Sequence, residues 1–161
     1  MAWGDADGDG DEDLFVSGAS GQAGRLFIRQ SSGQFVVRPL AGGVFEADKE
    51  YEDMAPLWFD ADSDGDLDLF VTSGSVEVEE NDVMLEDRLY VNDGKGGFSR
   101  ASEGTLPSAR NSSGVVVAGD FDGDGDLDLF IGGRVIPGRY PETPASQLLR
   151  NDKGVFTDVT E

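Results

Sequence analysis

The sequence predicts an all-β fold, a β-propeller built of four-stranded antiparallel blades, with three blades in this chain. Three observations carry that prediction. An acidic motif occurs three times: WGDADGDGDEDLFV at 3–16, WFDADSDGDLDLFV at 58–71 and AGDFDGDGDLDLFI at 118–131. Its first aspartates, Asp5, Asp60 and Asp120, lie 55 and then 60 residues apart. A second motif follows each copy: LFIRQSSGQFVV at 26–37, LYVNDGKGGFSR at 89–100 and LLRNDKGVFTDV at 148–159. Each is an apolar run, a glycine-containing turn and a run carrying Phe35, Phe98 or Phe156, which is the pattern of a β-hairpin. Finally, no window shows a convincing helical period, and 23 glycines and 6 prolines punctuate turns throughout.

The third repeat shows the elements in order. SGVVVAG (113–119) is a β-branched run and reads as the first strand. The acidic loop turns the chain. LDLFIGG (127–133) is the second strand, apolar on both faces as if buried on two sides. SQLLRN (146–151) and GVFTDVT (154–160) form the closing hairpin. The same order places one blade at about 1–38, one at 52–102 and one at 112–160, in a single domain spanning 1–161. The first blade has only Met1–Gly4 for its opening strand. Propellers typically close with four to eight blades, so three alone leave two apolar faces bare. The expectation is a homo-oligomer that closes a ring, with a dimer giving six blades, or a place in a larger propeller.

Composition narrows the chemistry. The chain has 161 residues, enough for a real core, and 38% are apolar. Acidic residues outnumber basic ones 33 to 12, for a net charge of −21. That excess repels nucleic acid and anionic membranes, and neither is expected as a partner. With no cysteine and no histidine, disulfides, thiolate chemistry, a Ser-His-Asp triad and imidazole-bound zinc are excluded. No apolar run approaches the roughly 18 residues of a membrane span. Met1 stands four residues before Asp5, leaving no room for a signal peptide. The expectation is a cytoplasmic chain or one whose natural start has been cut off.

The shared loop reads D-x-D-x-D-G-x-x-D. Alternate residues of a tight loop turn their carboxylates toward one centre. Glycine at position 6 permits a sharp bend, because it tolerates positive φ. Position 7 offers a carbonyl, and the aspartate at position 9 closes the shell. About six or seven oxygen ligands from one loop suit calcium better than magnesium, which demands a stricter octahedron. Softer metals would want nitrogen or sulfur. The first six positions match an EF-hand, but position 12 is Val16, Val71 or Ile131 rather than glutamate. The loop therefore belongs to a shorter class flanked by strands.

AGDFDGDGDLDLFIGG (118–133), its two sister copies and the trailing LLRNDKGVFTDVTE (148–161) resemble the FG-GAP/VCBS-type calcium-binding repeats of integrin α-subunit propellers and of many bacterial extracellular proteins. The literal Phe-Gly and Gly-Ala-Pro signatures are absent. The resemblance implies about three Ca²⁺ per chain. It assigns Asp5, Asp7, Asp9, Asp13 and the Asp11 carbonyl to the first ion. Asp60, Asp62, Asp64, Asp68 and the Asp66 carbonyl take the second, and Asp120, Asp122, Asp124, Asp128 and the Asp126 carbonyl the third. It also implies an extracytoplasmic setting. Three such ions would offset six of the 21 excess negative charges.

Plainer readings stand beside these. Asp and Gly in a loop are also simple turn formers, and the threefold alternation argues against that alone. The stretch VEVEENDVMLED (76–87) lacks the alternation and reads as a solvated insertion. Trp3 and Trp58, just before two of the loops, are expected to pack between blades. The segment RVIPGRYPETPAS (134–146), with Arg134, Arg139 and Tyr140, is either a recognition loop or a rigid connector. The function expected is a calcium-stabilised module that binds a protein or glycan. The alternatives are a purely structural, self-assembling repeat and a part of a polysaccharide-acting enzyme. No catalytic constellation stands outside the acidic loops, so the chain itself is not expected to be an enzyme.

Overall fold

Three four-stranded antiparallel sheets follow one another along the chain. The structure is a computed structural model that describes residues 1–39 and 43–161. The first sheet holds β1 (Ala2–Gly4), β2 (Asp13–Val16), β3 (Arg25–Arg29) and β4 (Phe35–Val37). The second holds β5 (Asp53–Phe59), β6 (Asp68–Ser73), β7 (Arg88–Asn92) and β8 (Phe98–Arg100). The third holds β9 (Ser112–Gly119), β10 (Asp128–Val135), β11 (Gln147–Asp152) and β12 (Val155–Asp158). Within each sheet the spatial order is the chain order. The register repeats as well: Trp3 faces Leu14, Trp58 faces Leu69 and Ala118 faces Leu129.

The sheets pack face to face in sequence, and their first strands lie against one another. Alternation along each strand sends one set of side chains to each neighbour. Phe15, Leu26 and Ile28 of the first sheet meet Leu69, Val71, Tyr90 and Phe98 of the second. Phe59, Phe70 and Leu89, from the opposite face of the second, meet Val116, Leu129, Ile131 and Phe156 of the third. Each large apolar side chain buried there stabilises by about 1.5–3 kcal/mol. All six residues of β6 are buried, because the middle sheet alone has neighbours on both sides. No closed ring forms among the described residues.

Several expectations change. The sequence predicts burial on two sides for the third repeat's second strand. Leu129 and Ile131 of β10 are buried, but Phe130 is 46% exposed, because no blade covers its face. Trp58 packs between blades, whereas Trp3, 51% exposed, lies on the uncovered face of the first sheet against Phe35. A short helix does occur: α1 (Val44–Ala47) sends Phe45 into the first interface, edge-on to Phe15 and Tyr90. One turn of helix is too brief to show a period in sequence. The 76–87 insertion is only partly solvated. Asp82 caps a 3₁₀ turn at Val83–Leu85, and Leu85 is buried.

A polar network ties the segment after α1 to the second blade. The buried Arg88 guanidinium donates to Asp53 at 2.6 Å and to Ser73 Oγ at 3.2 Å, and stacks 4.3 Å from the centre of the Tyr51 ring. The Tyr90 hydroxyl donates to Asp48 at 2.8 Å, and Arg100 donates to the same carboxylate at 2.7 Å. Nearby, Asp87 accepts from the Ser73 amide at 2.7 Å and from Ser113 Oγ at 2.9 Å, bridging the second and third blades. Burial, opposed by those two hydrogen bonds and by Arg88, pushes the Asp87 carboxyl up to about 7.

Candidate metal centre

Each acidic loop joins the first strand of a blade to its second. Glycine at position 6 takes a positive φ in all three: 89° at Gly10, 95° at Gly65 and 100° at Gly125. That bend aims the glycine amide at the carboxylate of position 1, at 2.9 Å on Asp5, 3.1 Å on Asp60 and 3.1 Å on Asp120.

Carboxylates from positions 1, 3 and 9 converge. Asp5, Asp7 and Asp13 bring one oxygen each to within 4.8 Å of one another, as do Asp60, Asp62 and Asp68, and Asp120, Asp122 and Asp128. Asp7 Oδ1, Asp60 Oδ1 and Asp62 Oδ1 are buried without a hydrogen-bond partner among the described residues. A buried anionic oxygen left bare costs free energy unless a cation meets it. Titration reflects the same crowding. Burial, then the neighbouring carboxylates, raises Asp62 and Asp122 above the ordinary carboxylate range. Burial also raises Asp13, and it raises Asp68 to about 6. A divalent ion would reverse this cost by favouring the ionised form. The donor set is all oxygen, so the residues fit a hard cation.

The remaining positions play other parts. At position 5, Asp9, Asp64 and Asp124 lie outside the triads, and each accepts from the amide two residues on, at 2.9 Å. At position 7 the side chains turn to neighbours, which leaves the backbone carbonyl as the group expected to bind. Asp11 meets Arg29, and Asp126 accepts from Ser63 Oγ at 2.7 Å and from the Lys153 amide at 3.0 Å. The Asp66 carboxylate sits against Gly94.

Position 9 has a structural duty that the sequence did not reveal. Asp13 accepts from the amides of Ala6 and Arg29, Asp68 from Ala61 and Asn92, and Asp128 from Phe121 and Asn151. One carboxylate thus binds the loop's own start to the end of the third strand, and its remaining lone pairs stay available to an ion.

Two asparagines that no sequence motif marks join the loops to their neighbours. Asn92 Nδ2 donates to the Ala6 carbonyl of the preceding blade's loop and to Leu67 of its own, both at 2.9 Å. Asn151 repeats this on Ala61 at 2.7 Å and Leu127 at 3.1 Å. Their signal is positional: Asn92 is the last residue of its third strand and Asn151 the last but one, just before the hairpin turn. The first blade has Arg29 at that place. The hairpin turns then rest on the preceding loops. A Cβ on Gly96 would lie 3.2 Å from the Asp7 Cβ, and one on Gly154 would lie 2.9 Å from the Asp62 Cβ.

The fold and loops define a protein of repeated acidic-loop blades. A family model described as an FG-GAP-like repeat matches residues 5–71 and again 60–131, together more than half of the chain. The chain belongs to the FG-GAP-like repeat family. A search of curated proteins gave no match.

Proposed function

We propose that this chain is a calcium-binding β-propeller module, in which ions brace the loops and the opposite surface meets a protein or glycan. The observation that carries the reading is the threefold convergence of three carboxylates at one place in the blade, two of the loops holding buried oxygens with no other partner. Bound calcium supplies the positive charge that turns mutual repulsion into attraction. Asp5, Asp7 and Asp13 hold the first ion, Asp60, Asp62 and Asp68 the second, and Asp120, Asp122 and Asp128 the third, with the position-5 aspartates and position-7 carbonyls completing each shell. Modules of this kind work at roughly 10⁻⁴–10⁻³ M calcium, which supports an extracytoplasmic setting. Among the described residues no helix is long and apolar enough to cross a membrane.

A protein or glycan partner would meet the rim opposite the cation loops. Arg139 there joins Glu80 at 2.9 Å, linking two insertions, and Tyr140 beside it is 89% exposed. The test is calorimetric titration of the chelator-stripped protein with calcium, paired with thermal melting. A ligand that binds only the native state adds about 2.7 kcal/mol per site at a hundredfold excess over Kd. No heat of binding and no rise in melting temperature would refute the calcium reading. Glycan and protein arrays probed with the loaded protein test the partner class.

A further inference from the structure

We propose that Arg38 is a resident cation of the first acidic loop: it holds that loop on the second blade without a metal ion and lowers the loop's affinity for calcium. The inference rests on the calcium reading of the loops, and it concerns the two loops whose following blade is part of this chain.

Backbone hydrogen bonds fix where Arg38 stands in the repeat. Its amide donates to the Leu26 carbonyl at 2.9 Å, as the Ala101 amide donates to Leu89 and the Val159 amide to Leu148. Those leucines pair with Phe15, Phe70 and Phe130, so Arg38, Ala101 and Val159 share one position, just past the fourth strand of each blade. From there the Arg38 guanidinium donates to Asp7 Oδ2 at 3.3 Å and to the Lys95 carbonyl. Asp7 belongs to the first loop, and Lys95 to the hairpin turn of the second blade. The two side chains of the ion pair are sheltered, at 33% and 18% exposed. Asp7 Oδ1 stays buried and unpartnered among the described residues. The carboxylate thus gives one oxygen to the arginine and keeps the other for an ion. Gly96 makes room for the guanidinium, since a Cβ there would lie 2.9 Å from Arg38 Nη1.

The second loop has the same frame without the arginine. The Ala101 methyl offers Asp62 no donor, and a cavity of about 300 Å³ is lined by Ala101, Asp62, Lys153 and Gly154. Lys153 and Gly154 are the counterparts of Lys95 and Gly96, three and two residues before the hairpin phenylalanine. The space that Arg38 fills at the first junction is therefore open at the second. Among the described residues, no carboxylate of 60–68 joins an ion pair, whereas the first loop also has Arg29 on Asp11 at 3.1 Å.

Electrostatics sets the sign. A guanidinium stays charged at any working pH. It offsets part of the loop's negative charge when no ion is bound, and it repels a divalent ion that arrives. By linkage, calcium loosens the hold of Arg38 by the factor by which Arg38 weakens calcium. A unit charge acting on a divalent ion a few ångströms away in a largely hydrated setting changes affinity about tenfold.

The test is a calcium titration of the full chain, first stripped with chelator, followed by the amide resonances of Gly10 and Gly65. These amides donate to Asp5 and Asp60, so each reports one loop. Arg38→Gln keeps an amide donor and loses the charge. It is expected to move the Gly10 response to about tenfold lower calcium and leave Gly65 in place. Its melting should fall in chelator, and fall less in saturating calcium. Ala101→Arg places a guanidinium in the open cavity, and it tests the same claim if Arg38→Gln fails to fold. It is expected to move the Gly65 response to about tenfold higher calcium and leave Gly10 in place. A Gly10 response at equal or higher calcium in Arg38→Gln, or a Gly65 response at equal or lower calcium in Ala101→Arg, would overturn the proposal. If both amides respond in the wild type and neither variant moves its own loop, the role of Arg38 fails and the calcium reading stands. If neither amide responds in any of these proteins, the calcium reading fails with it.

Discussion

Asn151→Ala should be among the most damaging single changes in the molecule that leaves every proposed metal-binding residue in place. The side chain is fully buried. It donates to the carbonyls of Ala61 and Leu127, and its Oδ1 accepts from the Gly154 amide at 2.9 Å. Three hydrogen bonds at about 1 kcal/mol each, with the Ala61 carbonyl left dry in a blade interface, put the loss at about 3–5 kcal/mol. Asn92→Ala is the internal control. That side chain makes the two carbonyl bonds, but its Oδ1 has no partner among the described residues, so the loss should be smaller, about 2–4 kcal/mol. Urea unfolding in saturating calcium measures both, and a shifted midpoint at constant slope marks a change in stability. A loss below about 1.5 kcal/mol for Asn151→Ala, or a larger loss for Asn92→Ala, would refute the latch reasoning.

Three further outcomes follow from the same geometry. Asp62→Asn should weaken calcium binding at the second loop by at least the roughly 10–100-fold that losing a group behind a metal ligand costs, while leaving melting in chelator no lower, because Asp62 Oδ1 makes no hydrogen bond to lose; calorimetry and melting read the two effects separately. Asp87 titrates near 3.8 when unfolded and near 7 when folded, so the stability it contributes is complete below about pH 4 and is lost as pH rises through 7. Asp87→Asn, whose amide can serve both Ser73 and Ser113, should flatten that fall in a melting series from pH 5 to 8 in calcium. Arg88→Ala leaves Asp53 buried without its cation and should cost about 3–5 kcal/mol by urea unfolding, whereas Arg88→Met with Asp53→Leu should recover much of it.

Much of this was legible in the sequence, because its repetition compares the chain with itself. A period of two along the LDLF runs and a left-handed glycine in each loop dictate strand, loop and strand. The spacing alone predicts converging aspartates at positions 1, 3, 5 and 9; those at 1, 3 and 9 do converge, while position 5 turns its carboxylate to the amide two residues on. Trp3 and Trp58 show where that reading stops. They hold the same place before the loop, yet Trp58 is partly buried between blades and Trp3 is exposed, because burial depends on which neighbour a blade has. Asn92, Asn151 and the inner duty of Asp13, Asp68 and Asp128 were hidden for a related reason: their partners are backbone groups, which leave no mark in composition. Asp53, Asp87 and Arg88 gather from distant parts of the chain, and no local pattern announces them. Helix α1 is one turn long, below the reach of any periodicity.

The seating of Gly96 and Gly154 on the loops before them constrains how this molecule can vary in length. The acidic loops occupy 5–12, 60–67 and 120–127 and are equal in length, whereas the hairpin turns above them run 30–34, 93–97 and 153–154. An added residue in an acidic loop would shift the aspartate on which the next blade's turn rests. The joins between second and third strands, at 17–24, 74–87 and 136–146, touch no such stop and differ freely. The rim of the acidic loops therefore keeps one gauge through all three repeats, while the opposite rim admits joins of different length.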